Sequence, residues 1–186
     1  MNIFVFYILI NAINFLEVAW EQRKLGEIVE INSGKDYKKL SKGKIPVFGT
    51  GGYMLSVNDR LSDRDSVGIG RKGSIDKPQF LSAPFWTVDT LFFMTPKRKN
   101  NVKFIFDLSQ LIRWKKYDES TGVPSLSKST ISNIPTIVAK IDEQNKISSL
   151  FELIDGIIAA NQGKRLQIKN ALLSCQALFL TRFTLN

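Results

Sequence analysis

Two glycine-bracketed turns hold the residues best suited to chemistry. Gly49-Thr50-Gly51-Gly52 follows the apolar pair Val47-Phe48, and Gly70-Arg71-Lys72-Gly73 follows Val67-Gly68-Ile69. Clustered glycines permit positive φ and let another backbone or a ligand approach closely. A strand that ends in a turn with two cations suits a phosphate, either a nucleotide's or a nucleic acid's. The nucleotide fingerprints are missing: there is no GxxxxGK[ST], and Gly49-Thr50-Gly51 runs into Gly52-Tyr53-Met54 instead of completing GxGxxG. These glycines are expected to be tight turns between strands, leaving Arg71 and Lys72 for a polyanion.

Other chemistries fail on spacing. Asp36-Tyr37-Lys38 offers a D-x-K, but the nearest upstream acids, Glu27 and Glu30, fall in a segment with helical spacing. Asp63, Asp65 and Asp76 suit hairpin turns, and no carboxylate set has the spacing of two-metal hydrolysis. A methyltransferase would need a glycine-rich cofactor strand and an N/D-P-P-Y-type tetrapeptide, and neither occurs. The 186 residues contain no histidine, which removes histidine-based triads and nearly all zinc sites. One cysteine, Cys175, cannot form a disulfide framework or a four-cysteine site within one chain. The expectation is a non-catalytic binder without cofactor or metal, in a reducing, cytoplasmic setting.

The elements that must position these turns are legible in outline. The formal charge is +9, and it is unevenly spread: residues 1–140 hold 21 basic and 13 acidic residues, against five and four in residues 141–186. The polyanion surface is therefore assigned to the first part. Residues 1–19 form a hydrophobic leader of unknown role, whose first sixteen residues are apolar and uncharged, short for a membrane span, which needs about 20 residues, so a membrane is not the expected partner. Trp20–Ile31 has the spacing of a short amphipathic helix. Asn32–Pro46 is turn-rich and cationic, with Lys35, Lys42 and Lys44. Strands are expected at Ile45–Phe48, Tyr53–Val57, Ser66–Ile69, Phe80–Leu81 and Trp86–Met94. A basic loop with Arg98 and Lys99 follows, then a helix over Phe104–Lys116 with Phe104, Ile105, Leu108, Leu111 and Ile112 inward. Its terminal cations suit the macrodipole. Ile134–Val138 reads as a last strand.

From Asp142 onward the pattern changes to heptads. Ile147, Ile154, Asn161, Ile168 and Cys175 alternate with Phe151, Ile158, Arg165, Leu172 and Phe179 in steps of three and four, the seam of a coiled coil. Gly156 and Gly163 each weaken a lone helix by about 1 kcal/mol relative to alanine, so this helix is expected to need a partner. The fold class expected is α+β, a β-rich domain over residues 20–140 followed by a long C-terminal coiled-coil helix over residues 141–186.

In this order the motifs resemble the DNA-specificity (S) subunits of type I restriction–modification systems. The resemblance is carried by WEQRKLGE (Trp20–Glu27), IPVFGTGGY (Ile45–Tyr53), IGRKGS (Ile69–Ser74), PFWT (Pro84–Thr87), GVPSL (Gly122–Leu126), Ile134-Pro135 and Asp142-Glu143-Gln144. It implies a target-recognition domain on double-stranded DNA, with a helix that acts as spacer. It also implies a methyltransferase (modification) subunit and a restriction subunit as partners. Such subunits usually carry two recognition domains and two helical regions, whereas one of each is found here, so a homodimer of half-subunits on a symmetric, interrupted site is expected. On that reading Arg71, Lys72, Lys35, Lys42, Lys44, Arg98 and Lys99 meet phosphate. Thr50, Tyr53, Ser74 and Ser125 are candidates for reading bases, and Trp86 belongs to the core. The alternatives are a non-catalytic RNA- or protein-binding assembly module, or a truncated fragment that does not assemble.

Overall fold

The computed structural model describes residues 20–160. The described residues fall into two units, 20–145 and 146–160.

Within the first unit, the segment expected as one helix is split. Glu21–Lys24 is a strand, β1, Leu25–Ile28 a single helical turn, α1, and Val29–Ser33 a second strand, β2. β1 pairs antiparallel with β9 (Pro135–Val138), from Glu21 opposite Val138 to Lys24 opposite Pro135. Helical spacing does put Leu25 and Ile28 inside. The cross-strand ladder, which no local pattern reports, decides the residues around them.

β2 is the edge of a four-stranded antiparallel sheet of order β2-β8-β5-β6, where β5 is Ser66–Gly70, β6 Gln79–Leu81 and β8 Leu91–Pro96. All six β8 residues are buried, as their mostly apolar run predicts. A second sheet joins β3 (Lys42–Gly49) to β4 (Gly52–Val57) as a hairpin and to β7 (Trp86–Thr87) in parallel. The expected single strand Trp86–Met94 is thus two strands in two sheets. A turn at Val88–Leu91, closed by the Leu91 N–H on the Val88 carbonyl at 3.0 Å, carries the chain from one to the other. Val47, Val57, Trp86, Val88 and Leu91 form a core there, with Leu81, Phe85 and Phe93 beside it.

α2 covers Val102–Leu111 and is capped by Asn101, whose side chain accepts from the N–H groups of Lys103 and Phe104. The sequence pattern extends this helix to Lys116, but Ile112 is extended and Trp114–Tyr117 is a separate 3₁₀ turn. The break lets the Trp114 ring bury completely and donate to the Ser109 carbonyl at 2.9 Å. Leu111, expected inward, is exposed instead. Lys115, in that 3₁₀ turn, pairs with Asp76 at 2.8 Å. α3 (Lys128–Asn133), capped by Ser127, packs on α1, where Gly26 has no room for a Cβ beside the Ser132 side chain.

α4, Ile141–Ala160, starts in the first unit and continues into the second. Its first turn is tied to the β8–α2 connection. Gln144 accepts from the Asn101 N–H at 2.9 Å and donates to Asn100 Oδ1 at 3.1 Å and to the Ala139 carbonyl at 2.9 Å. In the second unit only residues 146–160 are described. Ile147 is buried, and Phe151, Ile154 and Ile158 are half-buried. Asn161, Arg165, Ile168, Leu172, Cys175 and Phe179 of the heptad series, like the apolar leader, lie outside the described residues.

Candidate nucleic-acid interface

The Val88–Leu91 turn is the hub of the candidate site. The N–H groups of Arg71 and Lys72 donate to the Thr90 carbonyl at 2.8 and 3.4 Å, and Lys35 N–H donates to the Thr87 carbonyl at 2.9 Å. Trp86 Nε1 donates to the Lys35 carbonyl at 2.8 Å, which confirms Trp86 as core and fixes the Lys35 main chain on both sides. Arg71, Lys72 and Lys35 are therefore anchored by backbone at one end of β8, with side chains exposed.

The two motifs IGRKGS and GVPSL meet there. Gly73 N–H donates to the Pro124 carbonyl at 2.8 Å, Leu126 N–H donates to the Arg71 carbonyl at 2.9 Å, and Lys72 bridges Ser125. The second glycine turn is thus braced by a distant loop. Gly73 takes φ +91°, and a Cβ on Gly70 would lie 2.2 Å from the Ser74 carbonyl oxygen, so both glycines are required by the backbone. The first turn closes the β3–β4 hairpin. Gln79 Nε2 holds it by donating to the carbonyls of Gly49 and Thr50 at 2.9 and 3.1 Å. Tyr53 is 63% exposed, its ring edge-on to Phe48 and its hydroxyl 3.1 Å from Ser56 Oγ.

Not every expected cation joins this cluster. Arg98 and Lys99 follow Pro96 at the opposite end of β8, in a shallow cleft with Glu21, Arg23 and Glu27. Lys42 and Lys44 sit at the start of β3, whereas the glycine turn closes its other end. Among the described residues no group of three or more His, Cys, Asp or Glu could hold a metal. None of their helices is long and apolar enough to cross a membrane.

A family model of the type I restriction modification DNA specificity domain matches residues 17–170. The chain belongs to this family. Solved structures share the fold. The S subunit of a type I restriction-modification system from M. genitalium is 16% identical, with a TM-score of 0.65 over 91% of this chain and 50% of that one. The HsdS subunit from Thermoanaerobacter tengcongensis is 14% identical, with a TM-score of 0.57 over 93% of this chain and 49% of that one. A chain from a structure of type I R-M complex assembly and conformational transition is 14% identical, with a TM-score of 0.62 over 88% of this chain and 44% of that one. The chain thus spans about half the length of the proteins it resembles. Among curated proteins no match was found.

Two residues beside the candidate site in this specificity domain carry no signal in the sequence. Lys128, at the start of α3, places its Nζ 5.9 Å from the centroid of the Phe92 ring. Asp118 ties the GVPSL loop down, its Oδ1 accepting from the N–H groups of Ser125 at 2.9 Å and Ser120 at 3.0 Å. Neither carries a periodic signal, because their partners are remote in sequence or lie in an irregular loop.

The backbone N–H of Ser125, then that of Ser120, holds the Asp118 carboxyl below the usual carboxylate range. The folded chain binds this proton less readily than the unfolded one. The resulting stabilisation is present above the ordinary carboxylate pKa of about 3.9 and is lost as pH falls through the lowered value. The protection factors of the Ser120 and Ser125 amides, with the intrinsic exchange rate at each pH divided out, should therefore fall on acidification below that range. Asp118→Asn should exchange faster at neutral pH and lose that pH response; equal protection in both proteins would remove Asp118 as the tie.

Proposed function

We propose that the chain recognises DNA as a specificity subunit of a type I restriction–modification system. On this reading it carries out no chemistry itself and delivers a methyltransferase subunit and a restriction subunit to a bipartite target in the cytoplasm. The observation that carries this reading is the convergence of Arg71, Lys72 and Lys35 on one turn, in a chain of the DNA-specificity family. Phosphate contacts position a protein on DNA and base contacts specify the site. Arg71, Lys72 and Lys35 are assigned to phosphate at the hub, with Lys42, Lys44, Arg98 and Lys99 as outlying contacts. Thr50, Ser74 and Ser125, on loops, and Tyr53, near the start of β4, are assigned to base reading. If about six phosphate contacts form, log K against log salt should have a slope near roughly −5.

Residues 20–140 are assigned to recognition and residues 141–186 to a spacer helix paired with that of a second copy. The half-buried Phe151 and Ile158 in the heptad series support such a seam. Co-expression with a modification subunit, followed by mapping of methylated adenines, tests the function. A palindromic, interrupted pattern is expected, and absence of any chain-dependent methylation would refute it. Phe151→Asp with Ile158→Asp should leave a monomer in sedimentation; a persisting dimer would remove the seam.

A further inference from the structure

We propose that Arg71 and Lys128 form a clamp on a single backbone phosphate of the DNA, built across the ring of Phe92. The inference rests on the DNA-binding reading above and names the residues that hold one strand in place.

The Arg71 guanidinium carbon lies 5.8 Å from the Phe92 ring centroid and Lys128 Nζ lies 5.9 Å from the same centroid. Phe92 itself is nearly buried on β8. One ring thus draws two cations from segments far apart in sequence. Neither cation forms an ion pair among the described residues, unlike Arg23, Arg60 and Lys115, which have Glu21, Asp63 and Asp76. Arg71 Nη1 reaches the Asp89 main-chain carbonyl at 3.4 Å. The Glu119 carboxylate accepts from the hydroxyls of Ser127 and Thr130.

Two cations on one ring repel each other, and an anion between them removes that repulsion. The platform under them is rigid. The Arg71 main chain is bonded on one side to Thr90 and on the other to Leu126, and Leu126 is buried just before Lys128. The side chains are exposed, so they can close on a phosphate while the main chain beneath them stays fixed. Lys72, exposed next to Arg71, is free to take a neighbouring phosphate, but the clamp does not require it.

The test uses the full chain and a random-sequence duplex, since phosphate contacts are independent of sequence. Salt-dependent binding is measured for the unmodified protein, Arg71→Gln, Lys128→Gln, the double variant and Lys128→Arg, with equal thermal melts as the check on folding. Because log K falls by roughly 0.9 per neutralised phosphate, residues that share one phosphate should together lower the slope by about one and not two. Each single variant should weaken binding to all sequences alike, the double variant should be little weaker than either single, and Lys128→Arg should bind as the unmodified protein does. An unchanged slope in Lys128→Gln would overturn the clamp. A slope reduced by two in the double variant would also overturn it, leaving two separate contacts. If the unmodified protein does not bind the duplex, the DNA-binding reading fails instead.

Discussion

Gly34→Ala lowers the stability of the first unit by about 3 kcal/mol and displaces the Lys35 main chain, read as a shift of the urea midpoint. Gly34 is buried where β2 ends against the Val88–Leu91 turn. A Cβ there would lie 1.9 Å from the Val88 oxygen, 2.5 Å from the Val88 carbonyl carbon and 2.6 Å from the Thr87 oxygen, all main chain. These atoms cannot rotate away as a side chain could. Making room also stretches the Gly34 N–H bond to the Leu91 carbonyl, now 3.2 Å, and the Lys35 N–H bond to Thr87, now 2.9 Å. The matching control is Gly51→Ala in the first glycine turn. Nothing lies within 4 Å of a Cβ there, so the change should stay within about 0.5 kcal/mol. Equal midpoints for the two variants would show that β2 and the turn do not meet this closely.

Gln144→Leu is expected to cost about 3 kcal/mol as well, by a different route. Leucine fills much the same volume, so the loss is polar. Gln144 is 2% exposed, and its amide is the partner of the Asn101 N–H, Asn100 Oδ1 and the Ala139 carbonyl. Each buried group left unsatisfied costs about 1–3 kcal/mol. Asn145→Ala, next in the chain, removes a single exposed bond from Asn101 Nδ2 at 2.8 Å and should cost well under half as much. Chemical denaturation of the three proteins checks the ranking. A Gln144→Leu protein as stable as Asn145→Ala would mean that the amide cluster does not hold the start of α4. Trp20 Nε1 adds a further tie to this helix start through Glu143 Oε1 at 3.0 Å.

Gln144 and Gly34 show where sequence reading stops. Asp142-Glu143-Gln144 stands out as part of the motif order, but the pattern cannot tell that Gln144 faces inward on three partners. Gly34 reads as one more glycine in a cationic loop; only the approach of the Val88 main chain makes it necessary. The same limit explains the split of Trp20–Ile31. Leu25, Ile28 and Val29 are apolar with a spacing that fits a helix, and the competing ladder to β9 lies at the far end of the domain's sequence. It also explains why Phe104–Lys116 reads as one helix, since the pocket that buries Trp114 is built by the folded chain.

Among the described residues, the sequence by itself determined most elements of the sheets, because alternating and continuous apolar runs between glycine and proline turns are local signals. It determined the uneven positive charge, the lack of histidine and the motif order of the family. Tertiary structure alone decided which cations lie close together. Arg71, Lys72 and Lys35 meet because strand pairing brings their loops to one turn, and Lys128 joins them over Phe92. Arg98 and Lys99, just as basic in sequence, are carried to the other end of β8. Charge is a property of composition, but a binding site needs charges within reach of one another. That proximity comes from pairings between segments far apart in the chain, which no local spacing encodes.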